Sequence, residues 1–354
     1  MDPVVIKILI ALVPAIACLM VFERVDAFKL VSLTDTLGLL AGGAVLAAVS
    51  YFANGGVLDR FPIAMNDYSQ WVAPVVEEVL KASLILALFA FNRIGYLIDA
   101  AIVGFAIGSG FALAENVFFL HQFTGANMGV WLVRGFGTAI MHGGATAIMS
   151  ALSLVLYAPR LRISAERFHF NPFLFLPGLV GAIALHAVFN HFQDAAVEAM
   201  TVVIVAVPLS LFAIFSVGET YAHRWLAQDR DAHTKLLEDM RSGAFDQTEH
   251  GRALRALADR MDERHARELL DYVRTNVELV VRADTTLLAL EEHERVALGA
   301  DVRTQLHHLH DLERRLGHAL VLAVRQHLSF SRDDLWKLHE LEKDSTRRNL
   351  RAAG

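Results

Sequence analysis

Long apolar stretches alternate with short polar loops over the first two thirds of the chain. A helix needs about 20 apolar residues to cross a bilayer, because each residue adds about 1.5 Å along the helix axis. About seven stretches approach that length: 4–22, 37–53, 71–91, 97–120, 131–157, 173–193 and 200–222. The pattern therefore predicts an all-α fold, with a polytopic transmembrane helix bundle in residues 1–226.

The pattern changes near residue 227, where apolar residues begin to recur at the spacing of a soluble amphipathic helix. One such stripe consists of Leu269, Val273, Val277 and Val280. Residues 227–354 also contain 45 charged side chains, against 25 in residues 1–226, and none of the eight prolines. These features predict a soluble, helical, cytoplasmic domain of about four helices. Ser331 and Asp334 have the spacing of a capping box that opens its last helix.

Composition supports a membrane protein and excludes several classes of site. The chain is 55% hydrophobic, with a mean hydropathy of +0.41, which is too apolar for an ordinary soluble protein. The net charge of −6 is mild and gives no reason to expect a nucleic-acid partner. A single cysteine, Cys18, excludes a disulfide framework or a cysteine metal site within the chain.

Basic residues in the loops predict the orientation of the bundle in the cell membrane. They fall in alternate loops, at Arg24, Lys29, Arg93, Arg160, Arg162 and Arg167. These loops share a side with the charged C-terminal domain, and cytoplasmic loops carry the excess of Lys and Arg. We therefore expect a multi-pass protein whose N-terminus faces outward and whose C-terminal domain is cytoplasmic.

The third predicted span contains three ionisable side chains, Glu77, Glu78 and Lys81, in the motif EExxK. The helical angle of 100° per residue places all three on one face. Two adjacent carboxylates in a low dielectric resist ionising together, and Lys81 can hold one of them ionised. This arrangement suits a base that activates water. A structural ion pair that steadies the bundle is the alternative interpretation.

Three further spans carry polar residues at a similar predicted depth, in the outer half of the bilayer. Their members are Glu115 and Asn116 in FxxxEN, His142 and Thr146 in HxxxT, and His186 and Asn190 in HxxxN. We expect the glutamates and histidines of the four spans to converge into one site. Arg134 lies near a predicted loop, where we expect an ordinary snorkelling or solvated side chain.

A glutamate and histidine cluster inside a membrane is compatible with more than one class of function. A proton-coupled transporter or channel could use it as a relay. However, transporters often contain inverted repeats, and neither EExxK nor HxxxN recurs in the other half of the chain. A non-enzymatic membrane sensor with a helical output domain is a third class, but it does not explain the clustered ionisable residues.

The ordered set EExxK, FxxxEN, HxxxT and HxxxN, over residues 71–193, resembles the PrsW glutamic-type intramembrane proteases, relatives of the CAAX prenyl protease and bacteriocin-processing superfamily. This resemblance implies an endopeptidase that cuts a membrane protein near the outer face, for example an anti-sigma factor in envelope-stress signalling. Phe189 stands where the family commonly has Trp before the Asn of the fourth motif.

The resemblance also implies roles for individual residues. Glu77 and Glu78 would activate water, and Glu115, His142 and His186 would complete the catalytic site, with Asn190 from the fourth motif. Lys81, Asn116 and Thr146 would support them. Glu115, His142 and His186 also form a candidate zinc set of two histidines and one carboxylate. We nevertheless expect no required cofactor, because Lys81 adds a positive charge beside the carboxylates.

Overall fold

The computed structural model describes residues 3–25, 31–161, 169–291, 300–328 and 331–352. These residues are helical almost throughout, so the predicted all-α class is confirmed. The α-helices are, in chain order, α1 Pro3–Val25, α2 Leu33–Arg60, α3 Met65–Asp67, α4 Ala73–Ala90, α5 Leu97–Gln122, α6 Met128–Leu132, α7 Ala139–Leu161, α8 Leu176–His191, α9 Ala196–Ser242, α10 Glu249–Ala258, α11 Glu263–Glu291, α12 Ala300–Leu316, α13 His318–Leu328 and α14 Arg332–Ala352.

Six helical segments among the described residues are long and apolar enough to cross a membrane. They are Val4–Phe22, Leu33–Arg60, Leu97–Gln122, Met128–Ala158, Pro172–His191 and Ala196–Ser216. The remaining predicted span, 71–91, contains helix α4, whose three charged residues set it apart from an ordinary span. Among the described residues, the bundle thus contains six long apolar segments together with α4.

The chain divides into two compact units. One consists of Met1–Tyr157 and Phe170–Gly218, and the other of Ala158–His169 and Glu219–Gly354. The division falls close to the predicted boundary after residue 226, and it assigns the segment Ala158–His169 to the second unit. That residues 227–354 fold independently stays a prediction.

The orientation of the bundle in the membrane also stays a prediction. Three of the basic residues on which it rests, Lys29, Arg162 and Arg167, lie outside the described residues.

Helix α5 is buried along most of its length, and its glycines determine how closely its neighbours approach. Gly104 and Gly108 face α7, and a Cβ atom at Gly108 would overlap the carbonyl oxygen of His142. Gly110 faces α2, where a Cβ atom would overlap the carbonyl oxygen of Leu40. The GxxxG pattern therefore allows backbone contact between helices, and this contact brings the motif residues of α5 and α7 together.

Two π-helical segments precede the helices that carry EExxK and HxxxT. Tyr68–Val72 leads into α4, and Val133–Thr138 leads into α7. A π-turn inserts an extra residue per turn and shifts the side chains that follow it, and such turns often occur at functional sites. Asn190 on α8 donates a hydrogen bond from Nδ2 to the carbonyl oxygen of Ser69 at 2.8 Å, which fastens the first π-segment to α8.

The second unit has its own hydrophobic core, built around α11 and α12. The predicted stripe on α11 is buried, with Leu269, Val273, Val277 and Val280 each at most 1% exposed. The predicted capping box is confirmed at the start of α14. The backbone N–H of Ser331 donates to Asp334 at 2.8 Å, and the backbone N–H of Asp334 donates to Ser331 Oγ at 3.0 Å.

Candidate active site

Glu78 and Lys81 form a fully buried ion pair at the centre of the first unit. Lys81 Nζ lies 2.6 Å from Glu78 Oε1, and both side chains are 0% exposed. The same carboxylate oxygen lies 2.9 Å from His186 Nδ1. Because an ionised carboxylate can only accept hydrogen bonds, Nδ1 carries the ring proton and donates a hydrogen bond to Glu78. Glu78 therefore links α4 to α8 and fixes the orientation of the His186 ring.

His142 lies on the other side of Lys81. Lys81 Nζ is 2.8 Å from His142 Nδ1. An ammonium group can only donate, so Nδ1 accepts this bond and the ring proton is on Nε2. Nε2 lies 3.3 Å from Glu115 Oε2, which connects α7 to α5. The Lys81 ammonium also lies 4.6 Å from the centre of the Phe111 ring, a cation–π contact.

Glu115 is held on its other side by Arg134, so the expectation of an ordinary snorkelling or solvated Arg134 is wrong. The Arg134 side chain is 13% exposed, and its Nη2 lies 3.4 Å from Glu115 Oε1. Its Nε donates to Asn116 Oδ1 at 2.9 Å, and its guanidinium lies 3.7 Å from the ring centre of Phe119. Arg134 belongs to the π-segment Val133–Thr138, and its side chain points into the bundle. There its charge partner is Glu115 rather than a group at the membrane surface.

Glu77 has a different environment from Glu78, although the two are adjacent in sequence. Its side chain is 12% exposed, and Oε2 lies 4.0 Å from His186 Nε2. Asn54 donates from Nδ2 to Glu77 Oε1 over 3.4 Å, and Tyr68 donates to Asn54 Oδ1 at 2.7 Å. Neither Asn54 nor Tyr68 was expected at the site. In the sequence, the signal that could have identified Asn54 is its polar amide at the end of an apolar stretch.

Glu77 and Glu115 both line a cavity of about 920 Å³ between α2 and α5. Its α2 side includes three alanines and two glycines together with Tyr51 and Phe52, and its α5 side includes Phe111, Phe118 and Phe119. The site thus has a buried part, around Glu78 and Lys81, and an accessible part, where two carboxylates face open space.

The sequence model of the PrsW family, described as PrsW family intramembrane metalloprotease, matches residues 31–217, just over half of the chain. The chain belongs to the PrsW family. As a PrsW protein whose described residues include six segments long and apolar enough to cross a membrane, it is a multi-pass membrane protein and an intramembrane protease. The family match gives no support to a transporter or a sensor. No curated protein and no solved structure matches the chain.

The predicted convergence of the PrsW motif residues is confirmed. Glu77, Glu78, Glu115, His142 and His186 are joined by contacts of 4.0 Å or less. Asn190, Asn116 and Thr146 have other contacts. Asn190 binds the Ser69 carbonyl, Asn116 binds Arg134, and the Thr146 hydroxyl donates to the carbonyl oxygen of His142 one turn earlier at 2.9 Å.

The PrsW family description implies a metal, and a suitable donor group is present. Glu77, His142 and His186 each offer a ligand atom, and these atoms lie within 4.8 Å of one another. Glu77, rather than the predicted Glu115, supplies the carboxylate of this group. One carboxylate and two imidazoles are a common catalytic zinc set.

Two neighbours of this donor group act in opposite directions. Glu78 accepts from His186 Nδ1, as a carboxylate does behind many metal-binding histidines, and its Oε2 has no hydrogen-bond partner among the described residues. Lys81, in contrast, places an ammonium 2.8 Å from His142 Nδ1, where its charge repels a cation. The donors fit a zinc ion by type and spacing, and Lys81 opposes the ion both by its charge and by occupying the lone pair of His142 Nδ1.

Proposed function

We propose that this PrsW-family protease hydrolyses a peptide bond of a membrane-protein substrate with water activated by Glu77. The observation that carries the proposal is the different placement of two adjacent carboxylates. Glu77 lines the cavity, whereas Glu78 is 0% exposed and is engaged by Lys81 and His186. A general base has to reach both water and substrate, and of these two only Glu77 has that access.

The roles of the remaining residues follow from their contacts. Glu78 orients His186 and neutralises Lys81, and Lys81 fixes the tautomer of His142. Glu115 lies 3.3 Å from His142 Nε2 and is itself held by Arg134. Asn54 and His186 flank the two oxygens of Glu77, so that a water molecule beside Glu77 also has His186 Nε2 as a neighbour.

The reaction is an ordinary hydrolysis in which atoms and protons balance. Glu77 takes a proton from water while the water oxygen attacks the peptide carbonyl carbon. The C–N bond then breaks, and the leaving amine takes the proton from Glu77. His186 donates from Nδ1 to Glu78, so its Nε2 is unprotonated and can accept a hydrogen bond from the attacking water beside Glu77. Bound by Glu77, His142 and His186, zinc would polarise the carbonyl and make water more acidic.

The substrate has to present an unwound backbone. In a helix the peptide carbonyls are hydrogen-bonded within the segment, and this shields them from attack. We propose that cleavage occurs near the outer face, which follows from the predicted orientation of the spans. By resemblance to the PrsW proteases, an anti-sigma factor of envelope-stress signalling is the first substrate to test.

The test is a cleavage assay in liposomes with a single-span substrate. We expect Glu77→Gln to lower the cleavage rate by about 10²-fold or more, because it removes the base and keeps the side-chain shape. Asp67→Asn is the matched control, since Asp67 is an exposed acid that precedes the same helix. Equal rates for Glu77→Gln and the wild type would refute the assignment of the base.

A further inference from the structure

Resting on the proposed protease activity, we propose that the cavity between α2 and α5 is the cleft that binds an extended segment of the substrate, and that Asp59 selects a basic side chain close to the scissile bond. The cleft deepens the proposed function because it assigns a substrate class to the site.

The two walls of the cavity differ in a way that suits a peptide. The α2 wall includes three alanines and two glycines, at positions 44, 47, 48, 55 and 56, beside larger residues such as Tyr51 and Phe52. The alanines and glycines let a second backbone lie close to this part of the wall. The α5 wall carries three phenylalanines, at positions 111, 118 and 119, which can contact apolar side chains. The volume of about 920 Å³ lies in the range of well-formed ligand sites.

The carboxylates in the cavity favour a peptide over a lipid tail. Glu77 and Glu115 both line it. An acyl chain has no hydrogen-bond donor and would leave these carboxylates facing hydrocarbon, which is energetically costly. An extended peptide brings backbone N–H groups that can donate to them. A substrate segment therefore matches both the apolar walls of the cavity and its two carboxylates, Glu77 and Glu115.

The position of Asp59 predicts where the substrate carries its charge. Asp59 lines the cavity and is exposed, five residues after Asn54, whose amide contacts Glu77. Five residues of helix span about 7.5 Å, and an extended chain covers that distance in two to three residues. The side chains of charged residues that line the cavity, Asp59, Glu77 and Glu115, are all carboxylates. We therefore expect Lys or Arg two or three residues from the scissile bond, toward the C-terminal end of α2.

The first experiment fills the cleft without disturbing the fold. A Cβ atom at Gly55 has no neighbouring atom within 4 Å, and the same holds for Gly38, which lies on the same helix outside the cavity. We expect Gly55→Leu to lower kcat/KM for the single-span substrate by about tenfold or more, and Gly38→Leu to leave it near the wild-type value. Equal kcat/KM for the two variants would overturn the proposal that this cavity binds the substrate.

The second experiment reverses the charge preference. Substrates carrying Lys, Gln or Glu at each of the three residues on either side of the scissile bond are compared. With the wild type we expect Lys to be preferred over Glu by about fivefold at one of these positions, as for an exposed ion pair. In Asp59→Lys the preference should reverse at that position. No charge preference, or one that survives in Asp59→Lys, would overturn the role of Asp59.

A third measurement reads binding independently of cleavage. In a Cys18→Ser background, Gly56→Cys and Gly38→Cys are each mixed with a single-span peptide that carries one cysteine near the scissile bond. We expect a disulfide cross-link at position 56 and not at position 38. A cross-link without any cleavage by the wild type would refute the protease proposal and keep the cleft. Cleavage without a cross-link would refute the cleft and keep the protease.

Discussion

Glu78 and His186 are 108 residues apart in the sequence, and Glu78 Oε1 lies 2.9 Å from His186 Nδ1. This contact joins α4 to α8 in the apolar interior, where Glu78 also neutralises Lys81. One carboxylate thus has two structural tasks. Glu77, one residue earlier, is left free of the ion pair and faces the cavity.

The first prediction separates these two glutamates by their effect on stability. Glu78→Gln leaves the Lys81 ammonium buried without its anionic partner, and breaking a buried pair in this way costs about 3–5 kcal/mol. Glu77 has only a 4.0 Å ionic contact with His186 and no short contact with Lys81 among the described residues, so we expect Glu77→Gln to cost less than about 1 kcal/mol. The measurement is the free energy of unfolding in mixed micelles. Similar losses for both variants would contradict the division of roles.

The second prediction concerns Arg134, which we expect to act on Glu115 rather than on the substrate. Arg134→Met removes the cation beside Glu115, and we expect kcat/KM to fall by about tenfold or more. Arg134→Lys keeps the charge and loses the planar fork that reaches Asn116, so its kcat/KM should be intermediate. Arg93→Met, at an exposed position, is the control. Full activity of Arg134→Met would refute a role for Arg134 in the active site.

The third prediction separates glutamate chemistry from metal chemistry. We expect cleavage to survive exhaustive chelation, because the Lys81 ammonium lies 2.8 Å from His142 Nδ1 and competes with a divalent cation. The metal content of the same sample is measured alongside cleavage. Loss of cleavage that one equivalent of zinc restores would contradict this expectation and would assign Glu77, His142 and His186 as ligands.

The fourth prediction is that residues 227–354 fold without the membrane part. Their core of buried aliphatic residues on α11 and α12 is made within this segment. We expect a helical far-UV circular dichroism spectrum and a cooperative thermal transition in the absence of lipid. Leu306→Asp, which places a charge at a buried core position, serves as the unfolded reference. A disordered spectrum, or folding only with lipid, would count against independence.

The second unit contains a buried charge cluster that predicts a pH effect. Lys337 Nζ lies 2.7 Å from Asp229, 2.9 Å from Asp284 and 3.4 Å from both Asp333 and Asp334. Burial, which penalises the charged form, raises the pKa of Asp333 to about 8. The pKa of His233 is also raised, because its contacts with Asp284 and Asp334 outweigh the opposing effect of burial.

The fifth prediction follows from the sign of these shifts. Between pH 4 and pH 8 the folded cluster holds a proton that the unfolded chain releases from Asp333, so stability falls as pH rises through this window. The raised pKa of His233 acts in the same direction above about pH 6.5. One linked proton changes the free energy of unfolding by about 1.4 kcal/mol per pH unit.

Hydrogen exchange of the full chain tests this prediction. Protection of α14, corrected for the intrinsic exchange rate, should be lower at pH 8 than at pH 6. Asp333→Asn should flatten that difference, and Asp259→Asn, at an exposed position, should retain it. A pH dependence unchanged in Asp333→Asn would refute the linkage.

Arg134 and Asn54 illustrate what sequence patterns could not predict. Arg134 lies three residues into a predicted span, where a snorkelling cation and a buried one have the same sequence signal. Its direction depends on a π-turn, which has no strong signature in a single sequence. Asn54 follows the last residue of the predicted second span, so its contact with Glu77 depended on how α2 packs against α4.

The sequence by itself determined the helical spans, the separate charged domain and the motif residues that meet in the site. Apolar length and helical periodicity are local properties. Charged side chains inside a span usually pair with one another, because the surrounding hydrocarbon cannot solvate them. Only the tertiary structure decided that Glu77 faces the cavity while Glu78 is buried, and that Glu77 replaces Glu115 in the candidate metal group. Adjacent residues differ by 100° around a helix, so which one meets a given neighbour depends on how α4 and α5 are rotated. That rotation is fixed by long-range packing, including the backbone contacts at Gly108 and Gly110.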